Sequence, residues 1–190
     1  MKKTFFLAII LIILGYDSYS QSFSTCVGYS TQDGTQGLRT DINFCMPIIK
    51  HLDFVFQLSS VNAKGKTMEY MVYDLGGVAG PPISVAKTFV TNSLELGVAE
   101  EFDLGNNLSI RLDGLVGIGV ATNTSYYNAD NAVGTRVYGL FCADLKAECL
   151  WQFKDKMSMG LYIDGGLLSE ARFSNTQATF GAGVTIRSDF

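Results

Sequence analysis

The sequence predicts an all-β chain whose strands close into an eight-stranded antiparallel barrel, and three observations predict it. Apolar and polar residues alternate with period two from Ser22 to the end, eight such runs occur, and the links between them are alternately short and long. Helical spacing of apolar residues is not found.

The chain opens with Lys2 and Lys3, an apolar run from Phe5 to Leu14, and small residues at Ser18 and Ser20. This three-zone pattern predicts a cleaved signal peptide over 1–20, leaving one domain over 21–190. The run falls short of the roughly 20 residues that span a bilayer as a helix. Nothing after it stays apolar for that length, which excludes a helical membrane protein but not one that crosses with strands. With 14 basic and 18 acidic side chains the formal net charge is −4, a poor basis for nucleic-acid binding.

The runs are 22–31, 38–47, 52–62, 88–103, 108–121, 134–153, 157–169 and 177–190. In the last, Phe180, Ala182, Val184 and Ile186 share one face, and Gln177, Thr179, Gly181, Gly183, Thr185 and Arg187 the other. The sixth sets Phe141, Ala143, Leu145, Ala147, Cys149, Trp151 and Phe153 against Cys142, Asp144, Lys146, Glu148 and Gln152. Short links lie at 48–51, 105–107 and 154–156; longer ones lie at 32–37, 63–87, 122–133 and 170–176. Short turns at one end and long loops at the other are the pattern of single-chain outer-membrane barrels.

The polar face carries Arg39, Asp41, Glu95, Glu101, Arg111, Asp113, Asp144, Lys146, Glu148, Asp164 and Arg187 among Gly, Ser and Thr. In a secreted β-sandwich these would be a wet surface. In an eight-stranded barrel they point into an interior narrow enough to be filled by side chains, where opposite signs pair. Phe44, Phe54, Phe102, Trp151 and Phe153 lie on the apolar face near the short-turn ends and form an expected aromatic girdle at one membrane interface. An open sheet edge is forbidden in lipid, so strands 22–31 and 177–190 are expected neighbours.

On these residues the chain resembles the small outer-membrane β-barrel proteins of the OmpA/OmpX-like type from Gram-negative bacteria, over 21–190. The final strand, with Val184, Ile186 and terminal Phe190, resembles the signal read by the barrel-assembly machinery. Ser188 stands where that signal usually has an aromatic or apolar residue. The Ser20-Gln21 junction resembles signal peptides of Bacteroidetes. The resemblance implies outer-membrane localisation, with membrane lipid and the assembly machinery as partners.

Little points to catalysis. The single histidine, His51, falls in a short turn beside Lys50 and Asp53, at the end opposite to where an outer-membrane acyl hydrolase would need it. Carboxylates that could in principle do acid-base work, such as Asp113 and Asp144, read as members of structural ion pairs with the interior cations. No metal-ligand spacing occurs, no cofactor is implied, and Gly114 to Gly119 lie within a strand as small residues making room inside the barrel. Cys26 and Cys45 are a candidate cross-strand disulfide if the first hairpin turns near 35–36. The external segments 63–87, with Tyr70 and Tyr73, and 122–133, with Tyr126 and Tyr127, are the candidate contact surfaces. The expected function is a non-enzymatic structural or surface-interaction role with an unidentified external partner. The alternatives are a narrow pore and a secreted β-sandwich or lipocalin-like binding protein.

Overall fold

A computed structural model describes residues 21–32, 35–65, 68–71, 77, 80, 83–127, 132–170 and 176–190. The expected signal peptide at 1–20 lies outside the described residues. The strands are β1 (Ser22–Gln32), β2 (Thr35–Ile49), β3 (Leu52–Lys64), β4 (Met68–Tyr70), β5 (Ile83–Gly105), β6 (Leu108–Tyr127), β7 (Ala132–Lys154), β8 (Met157–Glu170) and β9 (Thr176–Asp189).

Eight of these form a closed antiparallel ring in the order β1-β2-β3-β5-β6-β7-β8-β9, with β9 returning to β1. The closing seam pairs Ser22 with Asp189 through to Gln32 with Thr179, and the Phe190 amide donates to the Gln21 carbonyl at 2.8 Å. The short three-residue β4 adds to the outer end of β5, Met68 facing Val85. The closed ring replaces the β-sandwich alternative, because two packed sheets would not pair β9 with β1 and β3 with β5 in one continuous antiparallel ring.

Register fixes the barrel's shape. A path of paired residues that leaves β2 at Gly37 runs through Ser30, Gly181, Asp164, Lys146, Asp113, Ala99 and Asp53, and re-enters β2 at Pro47. The offset is ten residues for eight strands. With standard strand spacing and rise this corresponds to a tilt of about 40° and a lumen that side chains can fill.

The alternation settles which side chains face which way. Leu145, Leu161, Val116 and Ile163 are each at least 65% exposed on the outer wall, while Arg111, Asp113, Asp144, Lys146, Glu148 and Asp164 of the same strands are buried inside. An apolar exterior around a polar interior is the inverse of a soluble domain and suits immersion in lipid.

Inward-facing glycines make the filled lumen possible. Each sits directly across from a bulky inward residue on the preceding strand: Gly117 across from Glu95, Gly166 from Asp144, Gly181 from Asp164, and Gly183 from Tyr162. A Cβ at Gly117 would come within 2.6 Å of Glu95 Cγ, and one at Gly183 within 2.7 Å of Tyr162 Cε1. At Gly166 and Gly181 it would strike the carboxylates of Asp144 and Asp164. The side chains thus lie along the wall over their neighbours' bare backbone. Gly114, by contrast, lies outside this pattern, packed near Leu145 of the outer wall.

The strands are longer than the alternation indicates. β5 begins at Ile83, β6 runs to Tyr127 and β7 begins at Ala132, so much of the expected loops 63–87 and 122–133 is sheet. The other strands stop near a common rim, at Gln32, Thr35, Lys64, Glu170 and Thr176. From the register and tilt, β5, β6 and β7 rise roughly 15 Å above that rim. In this extension the residues are mainly Thr, Ser, Asn and Gly with interspersed Val and Tyr, and the contrast between apolar and polar faces fades where both meet water.

Gly183→Ala is expected to destabilise the barrel by about 1–3 kcal/mol, because the added methyl displaces the Tyr162 ring and the β1 backbone. Tyr162→Phe is expected to be neutral or stabilising, since among the described residues the buried Tyr162 hydroxyl has no hydrogen-bond partner. Urea unfolding of the barrel in detergent micelles distinguishes the two.

Candidate functional site

The lumen is built around three buried cations. Arg39 on β2 reaches Asp41 on its own strand (2.9 Å) and crosses the lumen to Asp144 on β7 (3.0 Å) and Asp164 on β8 (2.5 Å). Its planar, five-donor guanidinium can serve three carboxylates at once, which an ammonium could not do with the same geometry. Lys146 on β7 meets Glu148 (3.1 Å) and Asp113 (3.5 Å), and donates to Gln57 Oε1 at 3.3 Å. Arg111 on β6 meets Asp113 (2.8 Å) and Asp53 (2.9 Å), and donates to Cys45 Sγ at 3.0 Å. A fourth cation, Arg187, lies lower and less buried, between Glu101 and Asp189.

The structure therefore places Arg39, Asp41, Arg111, Asp113, Asp144, Lys146, Glu148 and Asp164 together as one cross-lumen set. Glu95 is also buried, but it contacts Gln57 and Ser93 rather than a cation. Arg187 belongs to a separate group at the short-turn mouth.

At that mouth a polar vestibule of about 580 Å³ opens, lined by residues including His51, Asp53, Glu101, Asp103 and Arg187. His51 is exposed in the β2–β3 link, its carbonyl accepting from the Glu101 amide at 3.2 Å.

The opposite end is closed by a cluster that the sequence reading missed. Val61, Ala63, Phe89, Ala121, Leu140, Cys142 and Leu168 pack inside the barrel, with Tyr138 against them. These positions are on the inward register, where the reading anticipated polar groups. The available signal was the set of apolar residues, Leu140 and Leu168 above all, that share a parity with Asp144 and Asp164. The lumen is therefore filled in series by an apolar cluster and a salt-bridged layer.

The candidate disulfide is corrected. Gln32 pairs with Thr35, so the first hairpin closes two residues earlier than expected, and Cys26 lies opposite Asp41 while Cys45 lies opposite Ser22. Both are free thiols, as are Cys142 and Cys149. Cys26 sits beside Thr185 and Glu148, and Cys45 beside Arg111.

On the outer wall, Phe102, Trp151 and Phe153 are exposed and Phe44 and Phe54 half-buried, all toward the short-turn end. The Trp151 and Phe153 rings are 6.2 Å apart. Val184, Ile186 and Phe190 also face outward, next to the closing seam.

The external extension is the remaining candidate surface. Its first strand, β5, pairs with β3 only from Thr88 inward, and β7 pairs with β8 only from Leu140 inward. Residues 132–137 of β7 are paired along β6 and, among the described residues, with no strand on the other side. Cross-strand threonines line the outer face: Thr88 opposes Thr124, which opposes Thr135. Arg136 lies over the Tyr138 ring and pairs with Glu170 at 3.0 Å. Of the candidate loop tyrosines, Tyr126 is exposed on β6, Tyr70 and Tyr127 fall within β4 and β6, and Tyr73 lies outside the described residues.

No protein-family model matches this sequence, and no curated protein matches it. Solved structures do share its fold. A major outer membrane protein from Thermus thermophilus superposes with a TM-score of 0.53 at 15% identity, over 89% of this chain and 100% of that one. Neisserial surface protein A superposes with a TM-score of 0.53 at 8% identity, over 90% and 96%. The chain thus has the fold of the small outer-membrane β-barrels, as the resemblance implied.

Arg39→Met is expected to cost about 3–5 kcal/mol, because it strands Asp41, Asp144 and Asp164 without their shared cation. The check is the urea midpoint of the refolded barrel; a midpoint equal to wild type would mean that Arg39 does not hold the lumen together.

Proposed function

We propose that this chain is a non-conducting, non-enzymatic outer-membrane barrel that presents the β5–β7 extension outside the cell as a surface for interaction. The observation that carries the reading is the combination of a closed lumen with a sheet that outgrows it. The cap around Phe89 and Leu140 and the Arg39 layer below fill the lumen with buried side chains, which speaks against the pore. The extension supplies an open strand edge and a hydroxyl-rich face, the features through which a sheet pairs with another polypeptide or meets a polar partner. His51 lies at the far end of the barrel from that surface, which supports a role without catalysis.

The apolar wall and the aromatic residues near the short turns support immersion in the outer membrane with those turns toward the periplasm. The outward-facing Val184, Ile186 and Phe190 next to the seam are the proposed contact for the assembly machinery, and residues 1–20 the proposed export signal.

Four measurements test this. Unboiled protein from the outer-membrane fraction should migrate differently from boiled protein in detergent electrophoresis. Planar bilayers should show no steady channels, whereas stable conductance would restore the pore. A Thr135→Cys variant on intact cells should react with a membrane-impermeant maleimide, and labelling only after lysis would reverse the orientation. Replacing 125–134 with Asn-Gly, a two-residue hairpin turn, should preserve the heat-dependent migration and abolish attachment of expressing cells to protein- or glycan-coated surfaces. Attachment unchanged by this trimming, or absent from wild type, would remove the interaction role.

A further inference from the structure

Charge in the lumen does not balance. Among the described residues, six buried acids, Asp41, Glu95, Asp113, Asp144, Glu148 and Asp164, face three buried bases, Arg39, Arg111 and Lys146. A buried carboxylate without a cation is strongly disfavoured, so the excess must be neutralised.

Glu95 is where the geometry locates one neutralising charge. Five of the six acids touch a cation; among the described residues Glu95 touches none. Its two oxygens have different partners. Lys146 Nζ donates to Gln57 Oε1 at 3.3 Å, which fixes that amide's orientation, so Gln57 Nε2 donates to Glu95 Oε2 at 3.1 Å. Oε2 is therefore an acceptor. The other oxygen, Oε1, lies 2.6 Å from Ser93 Oγ, a hydroxyl that accepts as readily as it donates.

The groups around this carboxyl are Ser93 on β5, Gln57 on β3, Arg39 and Asp41 on β2, and Asp144 and Cys142 on β7, with Gly117 of β6 beneath it. Arg39 is taken up by Asp41, Asp144 and Asp164, and Lys146 by Glu148 and Asp113. Asp144 is a further negative charge. No cation remains free among these groups.

We propose that Glu95 is a neutral carboxylic acid at neutral pH, a proton-binding site built into the wall of the lumen, with its proton on Oε1 and donated to Ser93 Oγ. The ligand is a proton, bound at the oxygen that faces a hydroxyl able to accept it, while the other oxygen is held by the fixed Gln57 donor. In the unfolded chain a glutamate is ionised at neutral pH, so folding takes up this proton. Stability is then full below the ordinary glutamate range and falls as pH rises through neutrality.

Infrared spectroscopy of the folded barrel reads the proton directly. Wild type at neutral pH should show the C=O stretch of a protonated carboxylic acid, shifted in D₂O, and Glu95→Gln should lose it. Gln fits the site, donating to Ser93 and accepting from Gln57. Ser93→Ala, which removes the acceptor and keeps the acid, should move the band to higher frequency. In urea, the wild-type midpoint should fall between about pH 6 and about pH 9 and the Glu95→Gln midpoint should fall less over the same range. A wild type without the band, or a band undiminished in Glu95→Gln and unmoved in Ser93→Ala, overturns the proposal. A bandless wild type whose midpoint rises in potassium chloride, but not in choline chloride of equal strength, overturns it in favour of a bound metal cation.

Discussion

Closure is the constraint on which the rest depends. In lipid no water is available to satisfy a strand's free amides and carbonyls, so the sheet must return upon itself, and here it does so along the β1–β9 seam. Closing eight strands with an offset of ten residues sets the diameter of the lumen. At that diameter inward side chains from opposite walls reach each other, and Arg39 on β2 can hold carboxylates on β7 and β8. Hydrogen bonding at the seam and ion pairing across the lumen are therefore consequences of one geometry.

That geometry also dictates composition. Once the lumen is filled, long side chains need somewhere to lie, and the inward glycines opposite Glu95, Asp144, Tyr162 and Asp164 provide it. These four of the 20 glycines, which in a soluble sheet would weaken the strands, here open the wall to neighbouring side chains. All four bulky residues lean toward the next strand in chain order, in keeping with the uniform tilt. The interior is thus a layered stack, acidic in excess through its middle and capped by the apolar cluster around Phe89 and Leu140.

Much of this was legible in the sequence because alternation with period two assigns every residue of a strand to one wall once a single residue is placed. Arg39, Asp144 and Asp164 could be put inside from parity alone. Which of them touch could not, since partners across a lumen are separated by more than a hundred residues and depend on shear, which no local pattern encodes. The position of the first turn fails for a related reason. Several of the residues around it, Thr31, Gln32, Gly34, Thr35 and Gly37, suit a turn, and a displacement of two residues keeps every side chain on its own wall while moving Cys26 from Cys45 to Asp41.

The apolar cap and the extension were hidden by the rule that revealed the barrel. Alternation is visible only where one wall meets lipid and the other meets a polar interior. At the level of Leu140 and Leu168 both walls are apolar, and above the rim, from Thr122 to Ser125, both are polar; in each case the strand persists while its periodic signature is lost. The two departures mark functional boundaries along the barrel axis. The first is where the lining of the lumen turns from charged to apolar, and the second is where the sheet rises above the rim of the other strands. A strand whose contrast fades without a turn residue is therefore evidence of a change in surroundings rather than of a loop, and β5, β6 and β7 undergo that change together at adjacent positions on one side of the ring.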